Sequence, residues 1–285
     1  MFKSDLAQSN LNKWNYAAAF LHTILAVYIL QNVVNKKVTK FEFKYKTIQD
    51  PASDLDYAMD IEPGSETSIK SLTFAFFAIT AVAHILYATD FFGRGFYSSA
   101  IFGQGWNPYR WFEYSVTAGL MIYIIALVAG AKESSQALVA ALIVPGLMLQ
   151  GLTVERELKQ NELALWSQGH GSKPEIDQVL VWANFAPAWL FFGLKWFIIF
   201  GAFFKLKADL EDEGKTLDPK ITQLVWIQFI AFSLFGVIQT IQVYGWSTKR
   251  GNFSQVPYIQ FEKAYIFLSL VAKAALGISV ARLLN

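Results

Sequence analysis

The sequence contains no cysteine, and only 16% of its 285 residues are charged. Without cysteine the chain can have no disulfide framework, no thiolate metal site and no cysteine nucleophile. Soluble domains contain about 25% charged residues, so this low share, together with 54% hydrophobic residues, indicates an integral membrane protein. The net charge of +2 points to no particular partner, and we expect no nucleic acid partner.

Apolar runs of about 20 residues, the length that crosses a bilayer, recur seven times along the chain. They predict an all-α membrane protein, a seven-transmembrane helix bundle formed by one domain over residues 1–285. The predicted spans lie near residues 14–35, 70–92, 107–131, 135–155, 179–206, 220–244 and 258–284. The polar stretches 156–178 and 205–220 are predicted loops. Lysine and arginine are divided too evenly between the two sides to decide the orientation.

The connection over residues 36–69 is long and not uniformly polar. Charged and aromatic residues alternate from Lys40 to Lys46, and this period of two is typical of a strand with one aromatic face. Because a single strand leaves an exposed edge, we expect it to pair in a short β-hairpin within the loop or with a partner subunit. A solvated basic loop explains the same residues equally well.

Lys273 stands in the middle of the last apolar run. A charge at the centre of a bilayer costs about 3 kcal/mol or more, and either end of the run is about 15 Å or more away, so this side chain needs a partner. Few other polar residues interrupt the spans, and these are the candidate functional residues: His22, His84, Arg110, Glu113, Lys195, Gln239, Gln242 and Ser269.

Helix geometry indicates which of these residues can meet. His22, His84 and Glu113 each lie roughly 9 to 12 Å below the same surface, so they can form one polar cluster. Glu113 can neutralise Lys273, or it can pair with Arg110, three residues away on the same helical face. The two histidines either hold a proton or are neutral and bonded to neighbouring hydroxyls or water.

Aromatic residues are dense around this region. A slot between helices, lined by rings and closed by a reactive lysine, would suit an elongated conjugated ligand, and a lysine in such a site can form a Schiff base with an aldehyde. The rings belong to Trp106, Tyr109, Trp111, Tyr114, Trp189, Trp196, Phe232, Phe235 and Tyr265. Lys195 fits no motif: it is a cation over a ring, it lines a water cavity, or the fifth span is shorter.

These residues resemble the heliorhodopsins, seven-helix retinal proteins that are distant from the microbial pump rhodopsins. The third span opens with the sequence NPYRWFEYS over residues 107–115, similar to the family's motif of arginine, tryptophan, a variable residue, glutamate, tyrosine and serine. Ser269 lies four residues before Lys273, like the family's serine and retinal lysine. His22 and His84 are similar to its paired inner histidines, and the strand-bearing loop also fits.

The resemblance implies a rhodopsin-type bundle that holds all-trans retinal on Lys273 as a protonated Schiff base. It implies Glu113 as the counterion and Ser269 as a hydrogen-bonding neighbour. Light would isomerise the retinal, and the Schiff base proton would move to a cluster around Glu113, His22 and His84. The other residues expected around the cofactor are Arg110, Trp111, Tyr114, Phe235 and Gln239.

The resemblance also implies a homodimer with a cytoplasmic amino terminus, in a cell membrane or a viral or host membrane. We expect a light sensor rather than a pump, because no series of carboxylates leads to the opposite face. We also expect an unidentified signalling partner and no enzymatic activity. One alternative is a light-driven proton transporter, a role linked to some viral members. Another is a seven-helix transporter or receptor without a chromophore.

Overall fold

The computed structural model describes residues 2–35, 37–47, 57–91, 95–131, 134–167, 178–248 and 255–285. Seven long helices lie within these ranges: α1 (Phe2–Asn32), α2 (Ile69–Thr89), α3 (Pro108–Val128), α4 (Ser134–Ser167), α5 (Gln178–Asp212), α6 (Pro219–Thr248) and α7 (Gln255–Leu284). Consecutive helices pack against each other, and α7 closes the ring against α1. Since α3 contacts α2, α4, α5 and α6 and is the most enclosed span, its side chains reach the middle of the bundle.

Six helices in the described ranges are long and apolar enough to cross a membrane, and they coincide with six predicted spans. They are Ile69–Thr89, Pro108–Val128, Ser135–Glu157, Val181–Asp212, Pro219–Gly245 and Tyr258–Leu284. α1 is not among them, because polar residues such as Asn15 and His22 interrupt its apolar run. Its outward side chains nevertheless include Phe20 and Ile24, 66% and 47% exposed, which suit contact with lipid. The span near 14–35 stays a prediction.

Side chains at the starts of α2 and α3 fix where these helices begin. Ser68 Oγ accepts a hydrogen bond from the backbone amide of Ser71 at 3.1 Å, and Asn107 Oδ1 accepts one from the amide of Arg110 at 3.1 Å. Pro108 follows in the first turn of α3, where its missing N–H has no helical partner to lose. These contacts therefore set the depth of Arg110 and of the residues after it.

Two predicted loops are partly helical, so those predictions are wrong at their edges. α4 continues to Ser167, and α5 continues to Asp212. The residues after Glu155 are mostly good helix formers such as arginine, glutamate, leucine, lysine and glutamine, and these extend the helix beyond the apolar run. The end of an apolar run marks the end of a span, not of its helix. Residues 168–177 of the predicted loop lie outside the described residues.

Two antiparallel strands, β1 (Lys37–Thr47) and β2 (Tyr57–Ser68), connect α1 to α2. The alternating segment 40–46 lies within β1. Residues 48–56, between the strands, lie outside the described residues. Between α2 and α3, a short helix at Phe96–Ser98 continues as a π-helical turn over Ser99–Gln104, where the sequence pattern predicts no element.

Candidate functional site

Lys273 on α7 and Glu113 on α3 form a buried ion pair at the centre of the bundle. Lys273 Nζ donates to Glu113 Oε1 at 2.9 Å and to Ser269 Oγ, one turn earlier on α7, at 2.9 Å. Lys273 is 2% exposed and Glu113 is 8% exposed. The carboxylate therefore neutralises the ammonium where an unpaired charge would be strongly destabilising.

Two threonine hydroxyls hold the Glu113 carboxylate in place. Thr80 Oγ1 on α2 donates to Glu113 Oε1 at 2.7 Å, and Thr117 Oγ1, one turn along α3, donates to the same oxygen at 2.8 Å. With Lys273, three donors converge on one oxygen atom. This arrangement favours the ionised carboxylate, because each hydrogen bond donated to the oxygen stabilises its negative charge.

Arg110 lies one turn from Glu113 on α3, but it pairs elsewhere. Its Nη2 donates to both carboxylate oxygens of Glu155 on α4 at 3.1 Å, and its Nη1 donates to Glu262 on α7. Among the described residues, no hydrogen bond or ion pair joins Arg110 to Glu113. Of the two pairings left open by the sequence, the structure contains the one between Glu113 and Lys273.

Sequence reasoning missed both carboxylates that hold Arg110. Glu155 also accepts hydrogen bonds from Trp111 Nε1 at 2.6 Å and Gln242 Nε2 at 3.0 Å, and Asn107 Nδ2 donates to Glu262 at 2.9 Å. Both lie near the ends of predicted spans, where a glutamate is usually exposed to water. The signal that could have found them is Arg110 itself, since a buried arginine requires carboxylates at its own depth on neighbouring helices.

The two histidines lie beside the ion pair and do not contact it directly. The rings of His22 and His84 stack with centroids 5.9 Å apart, and His84 Nδ1 is hydrogen-bonded to Asn15 Oδ1 at 2.8 Å. Neither ring nitrogen of His22 has a hydrogen-bond partner among the described residues. Thr80, which donates to Glu113, lies one turn before His84 on α2.

An apolar cavity extends between the helices from Lys273. Of the residues expected around the cofactor, all but Glu113 line it, namely Arg110, Trp111, Tyr114, Phe235, Gln239, Ser269 and Lys273. Lys273 Nζ lies 5.1 Å from the centroid of the Tyr114 ring, against which Phe235 packs edge to face at 5.6 Å. Gln239 Oε1 accepts a hydrogen bond from the Tyr265 hydroxyl at 2.5 Å. Glu113 and the histidines lie outside the lining.

Two glycines leave room for the edges of tryptophan rings at the helices that wall this cavity. A Cβ atom on Gly151 of α4 would come within 2.4 Å of the Trp111 ring, and one on Gly236 of α6 within 2.7 Å of the Trp189 ring. All four residues line the cavity. Since any side chain at either glycine would displace a ring, the two glycines help to set the shape of the cavity.

Lys195 lines the same cavity from α5. Its Nζ lies 4.5 Å from the centroid of the Phe232 ring and 4.9 Å from that of Phe192. Lys195 lies well inside the apolar segment Val181–Asp212, which does not support a shorter fifth span. The structure contains the cation over aromatic rings, and the cavity that it faces is apolar.

Comparisons with known proteins identify the family of the chain. No curated protein matches the sequence. Among solved structures, the chain is similar to a thermophilic rhodopsin, with 12% identity, a TM-score of 0.46, and coverage of 98% of this chain and 93% of that chain. The sequence model described as heliorhodopsin matches residues 11–281. Since that match spans nearly the whole sequence, the chain belongs to the heliorhodopsin family.

Proposed function

We propose that this protein is a light sensor in which Lys273 holds all-trans retinal as a protonated Schiff base. Family membership makes it a retinal-binding, light-sensitive membrane protein. The proposal goes beyond family membership in three respects: the lysine to which retinal is attached, the isomer of the retinal, and the sensory role. The observation that supports them is a buried lysine, paired with a carboxylate, at the wall of a cavity lined by aromatic rings.

Lys273 Nζ stands for the Schiff base nitrogen, so its contacts show what would surround that atom. Glu113, whose Oε1 lies 2.9 Å from Lys273 Nζ, is the proposed counterion. Ser269 Oγ also lies 2.9 Å from Lys273 Nζ and is the second hydrogen-bonding neighbour. Bound retinal supplies absorption of visible light and isomerisation about a double bond. Glu113 stabilises the positive charge of the nitrogen in the dark, because an opposite charge at this distance favours the protonated form.

Glu113 is also the proposed first acceptor of the proton. Its Oε1 already lies within hydrogen-bond distance of the nitrogen, and Thr80 and Thr117 keep it there. Beyond Thr80, the stacked pair of His84 and His22 offers ring nitrogens as further proton acceptors. We therefore assign these histidines to the proton-accepting cluster, with Thr80 linking them to Glu113.

The distribution of buried polar groups supports sensing over pumping. The carboxylates and histidines of the cluster lie in the half of the bundle where α3 begins. Towards the other end of α3 the buried side chains are apolar, and Ile122, Ile124 and Ile125 belong to one core with Leu276 and Val280 of α7. Among the described residues, this part of the bundle contains no buried carboxylate or histidine that could pass a proton to the opposite face.

The environment and assembly form a further part of the proposal. The six apolar helices require a lipid bilayer. A cytoplasmic amino terminus, a homodimer and a separate signalling partner are proposed on family membership alone.

The test is the absorption spectrum of the purified protein after addition of all-trans retinal, before and after illumination. We expect a visible band that light alters, and no visible band in Lys273→Ala. Lys263→Ala is the matched control on the same helix, because Lys263 faces Trp14 on α1 and should leave the band unchanged. A wild-type protein that stays colourless would instead favour a transporter or receptor without a chromophore.

A further inference from the structure

Lys195 is the buried cation for which the proposed function has no role. It is 1% exposed in the middle of α5 and lines the same cavity as Lys273. The other cations of the cavity wall are neutralised, Lys273 by Glu113 and Arg110 by Glu155 and Glu262. Within the described residues, no carboxylate forms an ion pair with Lys195.

Aromatic faces take the place of a counterion at Lys195. Its Nζ lies 4.5 Å and 4.9 Å from the ring centroids of Phe232 and Phe192, within the distance at which a ring attracts a cation. That attraction offsets part of the destabilisation of a charge inside the membrane. A positive charge on Lys195 would therefore face the cavity with aromatic rings beside it and, among the described residues, no carboxylate partner.

Lys195 and Lys273 line the cavity at similar depth from two different helices. Lys195 lies 14 residues after Val181 of α5 and Lys273 lies 15 residues after Tyr258 of α7, so both are about 21 to 22 Å from the same membrane face. α5 and α7 are not neighbours in the ring of helices. The cavity therefore crosses the bundle in the membrane plane, and a straight ligand attached at Lys273 points its free end towards α5.

We propose that Lys195 determines the colour of the protein by placing a positive charge beside the ring end of the retinal. This inference rests on the proposed function. Excitation of a protonated Schiff base moves positive charge from the nitrogen towards the ring. An ammonium at the ring end opposes that movement by Coulomb repulsion, so it raises the excitation energy and shifts absorption to shorter wavelength.

The experiment compares wild type, Lys195→Met and Lys195→Arg after reconstitution with all-trans retinal, each also in a Lys273→Ala background. Methionine keeps a long unbranched side chain and removes the charge, whereas arginine keeps the charge. We expect the absorption maximum of Lys195→Met to move to longer wavelength by on the order of 10 nm, from the Coulomb term alone. Lys195→Arg should absorb near the wild type.

Resonance Raman spectra of the same samples separate a ring-end effect from a general disturbance. The C=N stretch of the Schiff base should be unchanged in Lys195→Met, since the nitrogen end keeps Glu113 and Ser269. A shifted C=N stretch, an unchanged absorption maximum, or equal shifts in the two variants would each overturn this inference while leaving the Lys273-dependent colour intact. A wild type whose colour does not depend on Lys273 would overturn the proposed function, and this inference with it.

Discussion

Two buried ion-pair groups lie one turn apart on α3, and they keep the partners of Glu113 separate from those of Arg110. Glu113 accepts hydrogen bonds from Lys273 and two threonines, whereas Arg110 forms ion pairs with Glu155 and Glu262. Because the arginine is satisfied by other carboxylates, it does not compete with Lys273 for Glu113. Each position can therefore be tested by a change that leaves the other group intact.

Glu113→Gln removes the proposed counterion and keeps the shape of the side chain. We expect the visible band of the retinal-bound protein to shift strongly, or to be lost at neutral pH as the nitrogen gives up its proton, because the charge that stabilises the protonated form is gone. The absorption spectrum is the measurement. Glu157→Gln is the control, because Glu157 accepts a hydrogen bond from Asn184 instead, and an unchanged spectrum in Glu113→Gln would contradict the counterion role.

Glu155→Gln tests the second group. The change removes the charge from a fully buried carboxylate that takes donors from Arg110, Trp111 and Gln242. We expect the free energy of unfolding to fall by roughly 3 kcal/mol. This is the lower end of the range for breaking a buried ion pair, because Glu262 still neutralises Arg110. The thermal midpoint of the detergent-solubilised protein measures it.

Glu211→Gln is the matched control for that stability measurement, since its exposed pair with Lys207 spans 3.7 Å and contributes little. Equal thermal midpoints for the two variants would contradict a stabilising role for Glu155.

The sequence was informative about residues that stand alone in apolar surroundings. Lys273 and Glu113 interrupt long apolar runs, so their charge demanded an explanation, and helix depth and spacing then suggested their partners. Glu155 and Glu262 stand at the margins of their runs, where charge is ordinary, and only helix packing reveals that they are buried. The contact of Lys195 with Phe192 and Phe232 likewise depends on how α5 and α6 are rotated, which composition does not encode.

At the scale of elements, the cavity exists because two helices carry glycine where a tryptophan of a neighbouring helix lies against them. Gly151 of α4 receives Trp111 of α3, and Gly236 of α6 receives Trp189 of α5. The spans themselves follow from apolar run length, which is why six of them were predicted closely. The extensions of α4 and α5 beyond their runs depend on helix propensity, and hydropathy does not report that property.

Gly151→Ala should narrow the cavity. Its new Cβ would lie 2.4 Å from the Trp111 ring, so the ring must move inwards and its hydrogen bond to Glu155 must weaken. Overpacking of this kind typically destabilises by about 1–3 kcal/mol. We expect less retinal to be bound, read as a lower ratio of visible to protein absorbance.

Gly146→Ala on the same helix is the control, because nothing lies within 4 Å of its added Cβ. That variant should bind retinal normally and be up to about 1 kcal/mol more stable, from the higher helix propensity of alanine. Equal retinal occupancy in the two variants would show that Gly151 does not bound the ligand site.

At the scale of the whole molecule, the buried carboxylates and histidines of the described residues lie in one half of the bundle. This half contains the histidine pair, Glu113 and the Arg110 group, and the other half contains mainly apolar side chains together with the buried Gln228. Among the described residues, a proton released near Lys273 thus has buried carboxylates and histidines on one side only. This asymmetry favours a protein that stores a proton and returns it over one that moves it across the membrane.

Illumination of cells or vesicles containing the retinal-bound protein should therefore give no sustained pH change. The expected record is flat, with or without a protonophore, because the buried core around Ile122 and Ile125 offers no onward acceptor. A light-evoked pH change that a protonophore abolishes would instead establish the proton transporter.

Chemical location of the attachment tests most directly whether Lys273 carries the retinal. Borohydride reduction of the retinal-bound protein makes the nitrogen–carbon bond permanent, and peptide mass spectrometry then identifies the modified lysine. We expect the retinyl mass on the peptide that contains Lys273. A retinyl group on Lys195, the other lysine of the cavity wall, or on no lysine at all, would contradict it.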